Sequence, residues 1–195
     1  MRAVTALVLL LGVFIAPAAQ AAAPDLSPFS CAWEKLPAAE QTRLRDGFRV
    51  DLKDKSFIIF FGDADTASAT QAAQQCQQTL SGSQAEHFAL GLARHAGALK
   101  AGQGVVDHGG TLDAVQNALS KMHEGKREVI GDKLACPGPH PMVVEWDESL
   151  KSAVRRANLR FENVRAYSYV SLALYALMAE EGAMRRVAGT AEPCS

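Results

Sequence analysis

The sequence predicts an all-α protein: a single compact bundle of about five or six helices around a hydrophobic C-terminal core helix, braced by two disulfides. Three observations carry this. Apolar residues recur at helical intervals along most of the chain. Aromatic residues make up only 7% while alanine is abundant, which suits closely packed helices better than a sheet-rich core. From Ala166 to Ala179 the chain reads AYSYVSLALYALMA without a charge, and a helix apolar all round belongs at the centre of a core. That stretch is too short, and too rich in tyrosine and serine, to span a membrane. One minor, short β pair is left open.

The N-terminus reads as an export signal. Arg2 gives a positive start, AVTALVLLLGVFIA (Ala3 to Ala16) an apolar stretch, Pro17 a break, and AQA (Ala19 to Ala21) a small-residue cleavage site. The expected organisation is a cleaved signal peptide, 1–21, and a single helical domain, 22–195, with an extended N-terminal segment. The expected location is periplasmic or secreted, with no stable membrane span after cleavage.

The elements follow in order. APDLSPFSCAWEKLP is expected to begin extended because of its prolines. Pro37 suits the first turn of a helix that aligns Leu36, Leu44 and Phe48. SFIIFFGDAD, from Ser56 to Asp65, fits either a strand or a buried helix; helix or irregular structure is preferred, since only MVVEW (Met142 to Trp146) resembles a partner strand. DTASATQAAQQCQQTL is helical. Ser83 and Glu86 form a capping box for a helix with Phe88, Leu92, Ala96 and Leu99 on one stripe. Thr111 caps the next, with Leu112, Val115, Leu119 and Met122 inward, running weakly on past Gly125. Asp147 or Ser149 starts the C-terminal helical region.

Cys31, Cys76, Cys136 and Cys194 make an even set in an exported chain, which implies two bridges. Three pairings exist. Cys31–Cys76 with Cys136–Cys194 closes the shortest loops, each restricting the unfolded chain by roughly 4 kcal/mol. Cys31–Cys194, joining the chain ends, is the alternative. The net charge of −1 gives no reason to expect nucleic acid or an anionic membrane as partner.

CPGPHPM, from Cys136 to Met142, sets a thiol, an imidazole and a thioether close together. It resembles the metal loop of blue copper proteins, which implies Cys136, His140, Met142 and a second histidine, His95, as ligands. Three residues separate Cys136 from His140, the rest of the chain is helically periodic, and a bridged Cys136 has no thiolate to offer. The loop is therefore read as a stiff turn anchored by its disulfide. FIIFFGDADTA resembles the first motif of haloacid-dehalogenase-type phosphatases, implying Asp63 as nucleophile and Asp65 as acid/base. Ala67 stands where that motif carries Thr or Val, so Asp63 or Asp65 is read as the cap of a helix near Thr66.

The histidines form no cluster at metal-binding spacing. Tyr167, Tyr169 and Tyr175 share one helix and are expected to bury their rings with hydroxyls at the periphery. Arg155, Arg156, Arg160 and Arg165 form a candidate anion-binding face that nearby acids neutralise in part. No motif for a nucleophilic serine, a redox dithiol, haem attachment or nucleotide phosphates occurs, and no cofactor is expected. The sequence thus points to an exported helical binding or interaction module without catalytic activity, whose partner is another envelope protein or a second copy. The alternative is an enzyme or a carrier of a metal or small ligand, with its pocket near His140, the Arg155–Arg165 face or the tyrosine helix.

Overall fold

A computed structural model describes residues 24–51, 56–59, 63–137, 140–141, 144–156 and 164–194. The signal peptide expected at 1–21 lies outside the described residues. The described residues form eight helices: α1 (Ser27–Lys35), α2 (Ala38–Gly47), α3 (Asp63–Gln75), α4 (Ser83–Asp107), α5 (Leu112–Ser120), α6 (Glu124–Leu134), α7 (Val144–Arg156) and α8 (Val164–Val187). The all-α bundle stands, with more helices than expected. Among the described residues no helix is long and apolar enough to cross a membrane.

The expected extended start is instead helical. Pro28 falls in the first turn of α1, where a missing N–H costs nothing. Asp25 accepts hydrogen bonds from the Ser27 backbone N–H and hydroxyl, both at 2.9 Å. Phe29, Ala32, Trp33 and Leu36 then make one buried stripe.

Ser56–Ile59 is a strand, β2, against the preference for helix. It pairs antiparallel with β1 (Phe48–Asp51), from Phe48 opposite Ile59 to Asp51 opposite Ser56. The two-residue β3 (His140–Pro141) pairs with its other edge, so the CPGPHP loop, rather than MVVEW, completes the sheet. Val50, Ile58 and Ile59 bring the β-branched shape that a pleated ribbon favours over a helix.

Helix starts show how local chemistry decides boundaries. Thr111 caps α5 as expected, its hydroxyl accepting from the Ala114 N–H at 3.2 Å. The expected Ser83–Glu86 box does not form: α4 has Gly82 as its N-cap with no side-chain cap, and just ahead of it the Gln84 side-chain oxygen accepts from the Ser81 N–H and hydroxyl, at 3.3 and 2.9 Å. α3 begins at Asp63, so Asp65 lies inside it and does not cap a helix at Thr66. The chain after Ser120 breaks at residues 121–123 and restarts as α6 instead of continuing.

Two apolar clusters meet along α4 and α8. One gathers α1, α2, α3 and the first half of α4 around Phe29, Trp33, Phe88 and Leu92. The other gathers α5, α6, α7 and α8 around Leu134, Leu150, Leu174 and Met178. Glycines let backbones and rings approach: a Cβ at Gly91 would strike the Phe29 ring, and one at Gly182 the backbone of Gly131. Leu112 and Leu99, expected inside, are 53% and 38% exposed.

Both favoured bridges are present. Cys31–Cys76 and Cys136–Cys194 have Cα separations of 6.0 and 5.7 Å, within the normal span.

Candidate functional site: a cleft beside a buried charge network

α8 does not stop where its apolar run ends at Ala179. It continues through EEGAMRR, and the helix keeps one side of that polar stretch inside the protein. Glu180 and Glu181 are buried. The Glu180 carboxylate meets His95 Nδ1 of α4 at 2.8 Å, while the His95 ring lies edge-on to Trp33. Arg127 of α6 faces Glu181 at 3.1 Å. Arg185 donates from Nε to Asp132 Oδ1 at 2.7 Å and from Nη2 to the Glu128 carbonyl at 3.1 Å. Arg186 donates to the Asp132 carbonyl at 2.7 Å and to Cys136 Sγ at 3.0 Å. Buried ions persist only where partners replace lost water, and α4 and α6 supply them.

Arg94, 2% exposed, extends this network from α4. It donates to the Leu134 carbonyl from Nε and Nη2, at 3.1 and 2.9 Å, and to the Cys136 carbonyl at 3.3 Å. It thereby fills the role of a cap for the last carbonyls of α6. Burial pushes its guanidinium down to about 10, still well above neutral pH. Burial pushes the Glu181 carboxyl up, against the pull of Arg127 and Arg185. Burial, with Arg186 nearby, pushes the His87 imidazole down.

Outside this network the chain forms a cleft of about 780 Å³. Its walls come from the segment before α1, from α6, and from the end of α8 with the tail behind it. Pro24, Pro28, Val129, Met184 and Ala188 give it apolar surface. Asp25, Glu124, Glu128, Asp132 and Glu192 supply carboxylates, against the guanidinium groups of Arg127 and Arg185 alone. Both are engaged with Glu181 and Asp132, so the wall keeps an acidic excess. The tail is held by the Cys136–Cys194 bridge, by Thr190 on the Arg185 carbonyl and by the Glu192 N–H on Asp132 Oδ2 at 3.4 Å.

The residues singled out from sequence fall elsewhere. Cys136 is disulfide-bonded, so the copper-like set loses its thiolate, and His95 is held by Glu180. β3 contains His140, whose side chain, like Met142, lies outside the described residues. Arg155 is exposed on α7; the side chains of Arg156, Arg160 and Arg165 are outside the described residues. Asp65 is buried and paired with Arg43, which also grips Glu40 and ties α2 to α3. That is a structural ion pair in place of a phosphatase pair. Tyr175 is buried hydroxyl and all, against expectation, and Tyr169 lies on Gly104 and the His108 ring. Among the described residues no group of three or more His, Cys, Asp or Glu could hold a metal ion.

Sequence reasoning named none of Asp25, Arg127, Glu128, Asp132 or Arg185. The available signal was position: Glu180, Glu181, Met184 and Arg185 continue the spacing of a core helix. Comparison with protein-family models, with curated proteins and with solved structures finds no match for this chain.

Proposed function

We propose that this chain is an exported, non-catalytic binding module of the periplasm or extracellular space, and that the cleft beside α6 receives a segment of a partner protein. The carrying observation is the composition of the cleft: apolar surface from Val129 and Met184, rimmed by carboxylates whose guanidinium neighbours are already paired. Such a surface favours an occupant with both apolar and basic side chains. Val129, 47% exposed, offers the kind of apolar contact that anchors an interface. Two disulfides suit an oxidising compartment.

The test is site-specific photocrosslinking in the producing cell. A crosslinking residue at Val129 is compared with one at Leu112, equally open but on α5. One discrete adduct from Val129, missing from Leu112 and lost in the Glu124→Lys, Glu128→Lys variant, is the expected result. Adducts that are equal at both positions, or indifferent to the charge reversal, refute the reading.

A further inference from the structure

We propose that Cys136–Cys194 is a thiol–disulfide exchange site, opened by an external dithiol that attacks Cys194, whereas Cys31–Cys76 is a fixed structural bridge. The inference does not depend on what fills the cleft.

The bridges differ in surroundings. Cys76, half-buried, packs against the apolar cluster of α1, α3 and α4, and its partner Cys31 is half-buried within α1. Cys194 is exposed in the tail, while Cys136 is half-buried at the end of α6. Arg186 Nη2 points at Cys136 Sγ from 3.0 Å, and Arg94 reaches the same residue's carbonyl. Asp132 is the carboxylate of this corner, and Arg185 holds it at 2.7 Å. The negative end of α6 also faces Cys136, but its carbonyls at Asp132 and Leu134 already accept from Arg186 and Arg94. Arg186 is nearer the sulfur than the Asp132 carbonyl oxygen at 3.5 Å, and the Asp132 carboxylate is held by Arg185, which favours a thiolate on Cys136.

Exchange is fastest when the exposed sulfur is attacked and the departing sulfur is the better stabilised thiolate. Both conditions select the same direction here. A thiolate of the dithiol attacks Cys194 Sγ, forming a bond between reagent and Cys194. The Cys136–Cys194 bond breaks, and its electron pair leaves on Cys136 beside Arg186. The reagent's second thiolate then closes its own disulfide and expels Cys194, which takes a proton from water. The dithiol loses two electrons and the cysteine pair gains them. Attack on Cys136 would meet a less open sulfur and expel Cys194, which has no cation beside it among the described contacts.

The experiment treats the folded protein with limiting dithiothreitol at neutral pH, quenches with iodoacetamide at intervals and maps the alkylated peptides. Cys136 and Cys194 are expected to label at least about tenfold faster than Cys31 and Cys76. With glutathione, a monothiol, the trapped mixed disulfide is expected on Cys194. Arg186→Gln is expected to slow opening of this bridge about threefold to tenfold and leave Cys31–Cys76 unchanged. A variant that merely unfolds would speed both bridges, the opposite sign. Equal rates, a mixed disulfide on Cys136, or no slowing in Arg186→Gln overturns the proposal.

Discussion

The two halves of α8 are buried by different physics. From Val170 to Ala179 the helix is surrounded by Leu134, Leu150, Val105 and their neighbours, and burial there is removal of apolar surface from water. From Glu180 to Val187 the helix is just as enclosed at Glu180 and Glu181, yet it is held by ion pairs and by carbonyls that accept from arginines. Apolar contact in the first half is not directional. The second half works only at short range. It needs α6 close enough for Gly182 and Gly131 to meet backbone to backbone, so that Arg185 and Arg186 can reach Asp132.

The sharpest way to break the second half is to push the backbones apart. Gly182→Val places a side chain on the Gly131 backbone, which cannot swing away as a side-chain tip would. It is expected to cost more than about 3 kcal/mol in urea unfolding, and circular dichroism will show a chain that is partly unfolded without denaturant. A smaller loss follows from removing a donor while keeping volume. Arg94→Met frees the protein from burying a cation but strands the Leu134 and Cys136 carbonyls. The net expectation is about 2 kcal/mol of destabilisation, measured as a lower urea midpoint at unchanged slope.

The smallest effect is a pH dependence. Burial raises the Glu181 carboxyl above its ordinary value near 4.5. A raised carboxyl binds its proton more tightly folded than unfolded. The stability it contributes is present below that ordinary value and lost as pH rises through the folded one. Glu181→Gln is therefore expected to flatten the fall in melting temperature on going upward from pH 4.5, and an unchanged slope would show that Arg127 holds the charge without cost.

What could be seen in the sequence follows the same division. The apolar half of α8, the Thr111 cap and the cysteine pairing were legible because each depends on local chemistry or on chain length between sites. The β1–β2 pair is missed because the helical pattern runs on to Phe48 and MVVEW, not Phe48–Asp51, looks like the partner of SFII. The first helix was missed because Pro28 reads as a breaker everywhere except in a first turn. The cleft was invisible for a deeper reason. Asp132, Arg127 and Arg185 look like solvated charges until α6 and α8 are laid together, and nothing in a run such as EEGAMRR states which helix will answer it.

The sequential cysteine pairing has a topological consequence. Each bridge closes a ring on its own side of the chain, and residues 77–135 belong to neither ring. A single backbone cut at the exposed Gly109 turn would therefore release two pieces with no covalent link, one carrying α1 to α4 and the other α5 to α8. They would be held by non-covalent contacts, chiefly the seam where α4 lies along α8, with the β2–β3 pairing and the Arg94 bonds to the end of α6 beside it. The molecule is in that sense a pair of pre-tied fragments, and the seam would behave as the interface of a heterodimer encoded in one chain.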